Sequence, residues 1–395
     1  MKARRSITAA ERRTRLGVRH RLAGSARATD PADVARSLVA LHATDPASVF
    51  LGTAARMHDP TVGAVEKALY EDRSLVRILG MRRTMFVVPI ALVPVVHAAC
   101  TRAIAATQRR RYAAFIEEGG IADDGLAWLD RVGEATVAAL ERRGEALGTE
   151  LSADVPELRA QVHYGEGKSW GGTTSMTTWV LTLLAADERI VRGRPRGSWT
   201  SSQYRWAPLA AWLPGGERGL DTPMAQVELA RQWLAAFGPG TLDDLRWWTG
   251  WTKTATRAAV AAVGAVEVDL DGATGFVLPD DLEPVSATEP WAALLPALDS
   301  TAMGWNDRGF YGADDKGLYD RSGNIAATIW WDGRVVGCWA QRPDGEIARG
   351  LLVDVGREAA AAIEAEADRT TAWLGSTRIT PRSRARSPIE RELLG

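Results

Sequence analysis

Leu41-His42-Ala43-Thr44-Asp45-Pro46 is the stretch on which the reading of the fold turns. It lies between two apolar runs of helical character, Val34 to Leu41 and Ala47 to Met57. Asp before Pro marks a helix start. The carboxylate caps free N–H groups, and Pro suits the first helical position because its missing N–H would be unbonded there anyway. Pro46 also pushes Asp45 out of the α region, so the preceding helix must end before it. The pattern predicts helix, tight turn, helix. If the turn is extended, His42 and Thr44, two apart, project to the same side. With Asp45 next door they form a candidate constellation: His42 as base or water-holder, Thr44 as orienter, Asp45 as electrostatic partner. Each also has a plain reading: Asp45 as an N-cap, Thr44 as a turn hydroxyl, His42 as a packing residue.

Outward from this turn, Thr8-Ala9-Ala10-Glu11 has capping-box spacing and opens a helix to about His20. Asp30 or Thr29 opens another over Pro31 to Val39, and Thr61 to Leu69 is a further amphipathic helix. Leu75 to Pro89 (LVRILGMRRTMFVVP) is rich in Val, Met and Phe without helical period. It reads as a β-ribbon with Arg82, Arg83 and Thr84 near its turn and Arg77 in its first strand. Helices followed by a β-ribbon make a winged helix, closed here by a long helix from Pro94 to about Ile116.

The order recurs. Helices are expected over Gly125 to Arg143, Ala153 to Val162 and Thr173 to Ala186, then strands around an Arg/Gly/Pro-rich loop carrying Arg192, Arg194, Arg196 and Arg205. Thr173 and Thr174, placed at a helix start, are candidate phosphate ligands. Pro208 to Pro223 reads as a linker. Next come helices over Met224 to Phe237, Leu242 to Thr249 and Ala255 to Val263, and a hairpin turning at Asp271-Gly272. Trp247, Trp248 and Trp251 offer stacking surfaces, but their helical spacing favours a core role. The last quarter is β-rich and ends in a helix, Glu358 to Leu374, and a basic tail from Arg382. The expected architecture is mainly α with β: winged helices in 1–117, 118–213 and 222–283, then a β-rich domain over 284–395.

At 395 residues with 46% hydrophobic and 25% charged content, the chain has the length of several domains and a globular composition. No apolar run reaches the roughly 18 residues of a membrane span, and the basic N-terminus lacks the apolar segment of a signal peptide. Cys100 and Cys338 lie far apart, which fits a reducing cytoplasm and no disulfide framework. The five histidines show no metal-ligand spacing, so neither metal nor cofactor is expected. The net charge is −1, but residues 1–111 hold 20 Lys and Arg against 8 Asp and Glu, about +12, which leaves about −13 beyond. That asymmetry makes the N-terminal third the candidate phosphate-facing part.

Several stretches together resemble one family. They are LVALHATDPASVFLGTAARM (Leu38 to Met57), MRRTMFVVP (Met81 to Pro89), LLAADERIVRGRPRGSW (Leu183 to Trp199), GPGTLDDLRWWTGW (Gly238 to Trp251), and LLPALDSTAMGWNDR (Leu294 to Arg308) with WDGRVVGCW (Trp331 to Trp339). In this order they resemble the helix-turn-helix superfamily of DNA glycosylases typified by AlkZ and YcaQ. The resemblance implies three winged helices plus a β-barrel-like domain, arranged in a C around duplex DNA. It implies hydrolysis of the N-glycosidic bond of bulky alkylated purines, interstrand crosslinks included. The family's catalytic motif, Gln-apolar-Gln or Gln-apolar-Asp, falls on His42-Ala43-Thr44, and neither polar position here carries the commonest residue. Asp299 and Arg308 also match family positions, as DNA contacts or as members of an ion pair. The expected partner is damaged double-stranded DNA, bound by a monomer. A winged-helix DNA-binding protein without catalysis, such as a damage sensor or regulator, stays open as the alternative.

Overall fold

A computed structural model describes residues 4–165, 167, 171–213, 219–314, 316–379 and 386–395. The fold is a mixture of helices and antiparallel sheets. The caps read at Thr8, Asp30 and Asp45 form, and Thr61 and Thr241 add others. Thr8 accepts from the Glu11 N–H, Asp30 from Ala32, Asp45 from Ala47 and Thr61 from Ala64, while Thr241 and Asp244 build a capping box. These caps start the helices Ala9–Arg19, Pro31–Ser37, Pro46–Ala54, Val62–Glu66 and Leu242–Thr249.

The opening stretch is not a bare turn. Leu41–His42 is a short strand that pairs antiparallel with Thr84–Pro89, bringing His42 opposite Phe86. The Ala43 N–H continues the ladder to the Met85 carbonyl (2.8 Å). Leu75–Gly80 pairs on the other side, so the sheet order is short strand, second hairpin strand, first hairpin strand. The same order returns further on: Ala146–Leu147 pairs with Tyr204–Pro208, which pairs with Ile190–Pro195. It returns in reduced form where Gly240 exchanges hydrogen bonds with Phe276 in the hairpin Val266–Leu270/Ala273–Val277. Each time a helix follows the short strand directly: Pro46–Ala54, Gly148–Asp154 and Leu242–Thr249.

The segment before Ala186 departs from expectation. Helix Gly148–Asp154 and a 3-10 turn, Pro156–Arg159, replace the helix expected over Ala153 to Val162. Gln161–Tyr164 is then a strand paired with Gly172–Ser175. The helix begins only at Met176, capped by Ser175. Thr173 and Thr174 therefore sit in a strand and not at a helix N-terminus. Runs of Thr, which favour extended backbone, explain the difference. The expected linker holds a helical turn, Leu209–Trp212, and its residues 214–218 lie outside the described residues. Residues 380–385 of the basic tail do too, and Pro388–Leu394 is helical. The C-terminal part is a four-stranded antiparallel sheet, Ala292–Leu295, Thr328–Trp331, Arg334–Gln341 and Ile347–Leu351 in that order. Among the described residues it is open and does not close into a barrel.

Ile90–Glu118 is one continuous helix, long and apolar enough by composition to cross a membrane, contrary to the sequence reading. Half of that apolar window is buried inside the fold, where Val93, Val96 and Cys100 join the largest core cluster. Its exposed face carries Arg102, Arg110 and Arg111.

A buried polar chain ties the start of the molecule to the C-terminal part. Arg56, with no exposed surface, donates to both oxygens of Asp299 (2.9 and 2.6 Å), to the carbonyls of His20 and Gly52 (3.0 and 2.7 Å) and to Thr301 Oγ1 (2.8 Å). Asp299 is thus an ion-pair partner and not a DNA contact. The His20 ring lies between Thr301 Oγ1 (2.8 Å) and the Ala236 carbonyl (3.0 Å). A carbonyl only accepts, so Nε2 carries the hydrogen. Thr301, already accepting from Arg56, donates to Nδ1. A second ring proton would face that hydroxyl, and burial first, then Arg56, hold the His20 pKa down to about 3. The native state therefore keeps His20 neutral, whereas the unfolded chain takes up a proton near pH 6.5. Stability is full above pH 6.5 and falls as pH drops from there towards 3, with a slope of about 1.4 kcal/mol per pH unit from this one group. Denaturant unfolding of wild type and His20→Gln as a function of pH checks this: the variant is expected to lose that slope.

Candidate nucleic-acid interface and active site

His42 opens onto a cleft of ≈ 1150 Å³ that receives residues from three parts of the chain. The short strand places His42 at its wall, 7% exposed. Its N–H donates to Ser300 Oγ (3.0 Å), which in turn donates to the Ala40 carbonyl (2.7 Å), so the backbone is clamped from both sides. The imidazole meets Phe86 edge to face at 5.5 Å. Arg82 and Thr84 come from the hairpin turn, Trp247 from the helix Leu242–Thr249, and Asn306, Asp307, Arg308, Asp314 and Asn324 from the C-terminal part.

Two guanidiniums share the Trp247 ring, Arg82 at 3.8 Å and Arg308 at 5.1 Å from its centroid. Arg308 also lies over Tyr319 (5.0 Å) and donates to the Trp305 carbonyl (3.2 Å). Burial, and secondarily the charge of Arg308, pull the Arg82 pKa down to about 10, so Arg82 remains a cation at neutral pH. Gly250 ends the tryptophan helix at φ 80°, a conformation that side chains disfavour, with Arg82 in ordinary contact beside it.

Arg82 and Arg83 both adopt left-handed backbone, φ 52° and 59°. Hairpin tips of this kind ordinarily use Asn or Gly, and each non-glycine residue held there costs about 1 kcal/mol. Strain kept at a site is a pointer to function. Arg83 is exposed and donates to Gln108 Oε1 (3.0 Å). Arg83→Gly relieves the strain and loses only a peripheral hydrogen bond. It is expected to hold or raise unfolding stability by up to about 1 kcal/mol while weakening nucleic-acid binding. Thermal unfolding alongside fluorescence anisotropy with duplex DNA checks both halves.

The other candidate residues distribute unevenly. Thr44 is exposed, two residues on from His42 but outside the set that lines its cleft, and the Asp45 carboxylate accepts from the Ala47 N–H (3.0 Å). Asp45 lines a different cavity, of ≈ 750 Å³, behind the helix Pro46–Ala54. The structure does not bring it to the cleft of His42; Asp307 and Asp314 are the carboxylates there. Arg77 is buried, 4% exposed, and supports the motif from within: it donates to the Ala43 carbonyl (3.1 Å) and lies over the Tyr204 ring at 4.7 Å. Arg194 is engaged by Glu66 (2.7 Å) and Glu71 (3.3 Å). Arg205 lies 3.8 Å from Glu150, and Arg196 is exposed. Thr173 contacts His163 (2.7 Å) within its hairpin, remote from the cleft-lining set. Among the described residues no group of His, Cys, Asp and Glu is arranged to hold a metal.

Sequence reasoning undervalued Trp247, which faces the cleft while Trp248 is core. Asn306 and Asp307 were missed, although they adjoin Arg308 in the same quoted stretch. Helical spacing alone could have separated Trp247 from Trp248, since neighbouring residues on a helix face different ways.

The profile of a family described as "DNA glycosylase AlkZ-like" matches residues 35–373. The chain belongs to that AlkZ-like family. An interstrand DNA cross-link repair glycosylase of Streptomyces sahachiroi is 26% identical over 234 residues, 51% of this chain and 63% of that relative. The aligned part thus spans under two thirds of the relative's length. The solved structure of Streptomyces sahachiroi DNA glycosylase AlkZ matches with a TM-score of 0.73 at 20% identity, covering 95% of this chain and 99% of that one. The likeness establishes a shared fold. His42 and its cleft lie inside the matched family region.

Proposed function

We propose that this protein is a DNA glycosylase that hydrolyses the N-glycosidic bond of bulky alkylated purines or interstrand crosslinks in double-stranded DNA. The observation that carries the reading is the placement of the His42 imidazole in the wall of a wide cleft edged by Arg82, Arg308 and Trp247. A neutral imidazole can accept a proton from water. In this role His42 holds a water against the anomeric carbon and takes its proton as the bond to the base breaks. The alkylated purine is cationic, so it leaves without a general acid. The carboxylates of Asp307 and Asp314 offset the positive charge on the purine and on the developing oxocarbenium ion, the part first assigned to Asp45. Thr44 reaches solvent two residues on from His42 and can orient the water or a phosphate.

The three repeats of short strand, helix and hairpin support a reading as tandem winged helices, with the C-terminal sheet completing a curved arrangement around the duplex. The width of the cleft suits a bulky adduct better than a tight base-flipping pocket.

The deciding measurement is release of 7-methylguanine and unhooking of a nitrogen-mustard crosslink by the wild-type protein. Activity on either supports the enzyme; binding without release would leave a damage sensor or regulator. Duplex affinity is also expected to fall about 10²-fold or more between about 50 and 200 mM salt if about four phosphates are contacted. A flat salt response measured by anisotropy would argue against any phosphate-facing role.

A further inference from the structure

We propose that a second cleft, on the far side of the Arg82-Arg83 hairpin tip, takes an unstacked nucleotide of the DNA strand that leaves the first. The proposal rests on the DNA-binding reading above and extends it to a separate surface. This cleft, also ≈ 1150 Å³, lies between the long helix Ile90–Glu118, the helix Met176–Ala186 and the strand Gln161–Tyr164. Its walls include Arg83, Gln108, Arg111, Tyr112, Tyr164 and Trp179.

Three features point to a ligand with both an aromatic face and a negative charge. The first is an aromatic platform. Tyr112 stacks on Trp179 with centroids 4.3 Å apart and planes 4° from parallel, and Tyr164 and Phe115 each lie 5.6 Å from Trp179. Aromatic surfaces of this kind hold nucleobases by stacking, whatever the base. The second is charge. Arg83 and exposed Arg111 stand on the rim, Arg111 over the Phe115 ring at 5.3 Å, and the described lining residues include no carboxylate. The His42 cleft, by contrast, contains Asp307 and Asp314. The third is continuity. Arg82 and Arg83 are consecutive, yet their left-handed backbone sends one into each cleft. A single strand crossing the hairpin tip meets both. The Gln108 amide, whose oxygen accepts from Arg83, keeps its NH2 to donate to a base edge, and the Thr182 oxygen, whose hydrogen goes to the Thr178 carbonyl, can accept from one.

The test uses two duplexes carrying 7-methylguanine, one blunt and one extended on a single side by a six-nucleotide single strand, with the extension placed on each side in turn. Wild-type protein is expected to bind one of the extended forms about fivefold or more tightly than the blunt form, as stacking of one base supplies. Tyr164→Ala and Arg111→Glu should reduce that form to blunt-duplex affinity, while Tyr164→Phe, which keeps the ring, should retain the preference. Arg111 is exposed, so its variant reports on binding without disturbing the core. Equal affinity for blunt and extended forms in the wild type overturns the second cleft as a nucleotide site. So does a preference that survives both variants, and in either case ordinary duplex binding leaves the proposed glycosylase standing. Failure of the wild type to bind even the blunt duplex at low salt removes both.

Discussion

The variant His42→Ala is expected to release alkylated bases about 10²- to 10⁴-fold more slowly than wild type, the range spanned by loss of a positioned proton acceptor. Duplex affinity should change little, because the cations proposed to meet phosphates, Arg82, Arg83 and Arg308, stay in place. His42→Gln is the informative companion. An amide holds a water without deprotonating it, and Gln is the residue that the family resemblance places at this position. If His42 acts as a base, the Gln variant is slowed nearly as much as the Ala variant. If it only holds the water, the Gln variant keeps a rate close to that of wild type. Equal rates for wild type and the Ala variant would remove His42 from the chemistry. Because His42 packs against Phe86, thermal unfolding of both variants separates a lost group from a disturbed sheet.

The second large effect concerns the buried ion pair. Asp299→Ala is expected to lower unfolding free energy by about 3–5 kcal/mol, since it leaves the Arg56 cation buried without its partner. The loss spreads: the Thr301 N–H, held by Asp299 Oδ1 at 2.9 Å, is freed as well. The double replacement Arg56→Met, Asp299→Leu removes both charges and should recover part of that loss, as apolar pairs of similar volume do. Urea unfolding of the two variants and of each single partner, treated as a double-mutant cycle, measures the coupling. A double variant no more stable than Asp299→Ala would show that the hydrogen bonds of Arg56 to His20, Gly52 and Thr301 matter more than the pair itself.

Local signals carried much of the architecture. Capping residues at Thr8, Asp30, Asp45, Thr61 and Thr241 start helices where their chemistry says they should, and the ribbon over Leu75 to Pro89 turns at its arginines. Long-range facts were not legible. Nothing local shows that His42 will be drawn into a strand by Phe86, forty-four positions later. Net charge could not reveal which arginines face inward. Arg15, 1% exposed, is bound by Glu11 and Asp281, and Arg56, with no exposed surface, by Asp299. The basic excess of the first third is therefore spent partly on internal pairing, and the surface reserved for phosphates is smaller than composition suggests. Of the site residues named from the sequence, His42, Arg82, Thr84 and Arg308 line one cleft and the others do not. Asp45 is adjacent in sequence but faces another cavity, whereas Asp307, Asp314 and Trp247 reach the cleft through folding alone.

The ladder bonds that flank residue 42 belong to the main chain: the Ser300 hydroxyl takes its N–H, and Ala43 pairs with Met85. None of them depends on which side chain the position carries. The junction is thus a socket whose backbone keeps its register whatever side chain residue 42 presents to the cleft. Two more sockets of the same topology, at Leu147 and at Gly240, carry no polar side chain. A chain assembled this way can exchange the group at the cleft wall while its frame stays fixed.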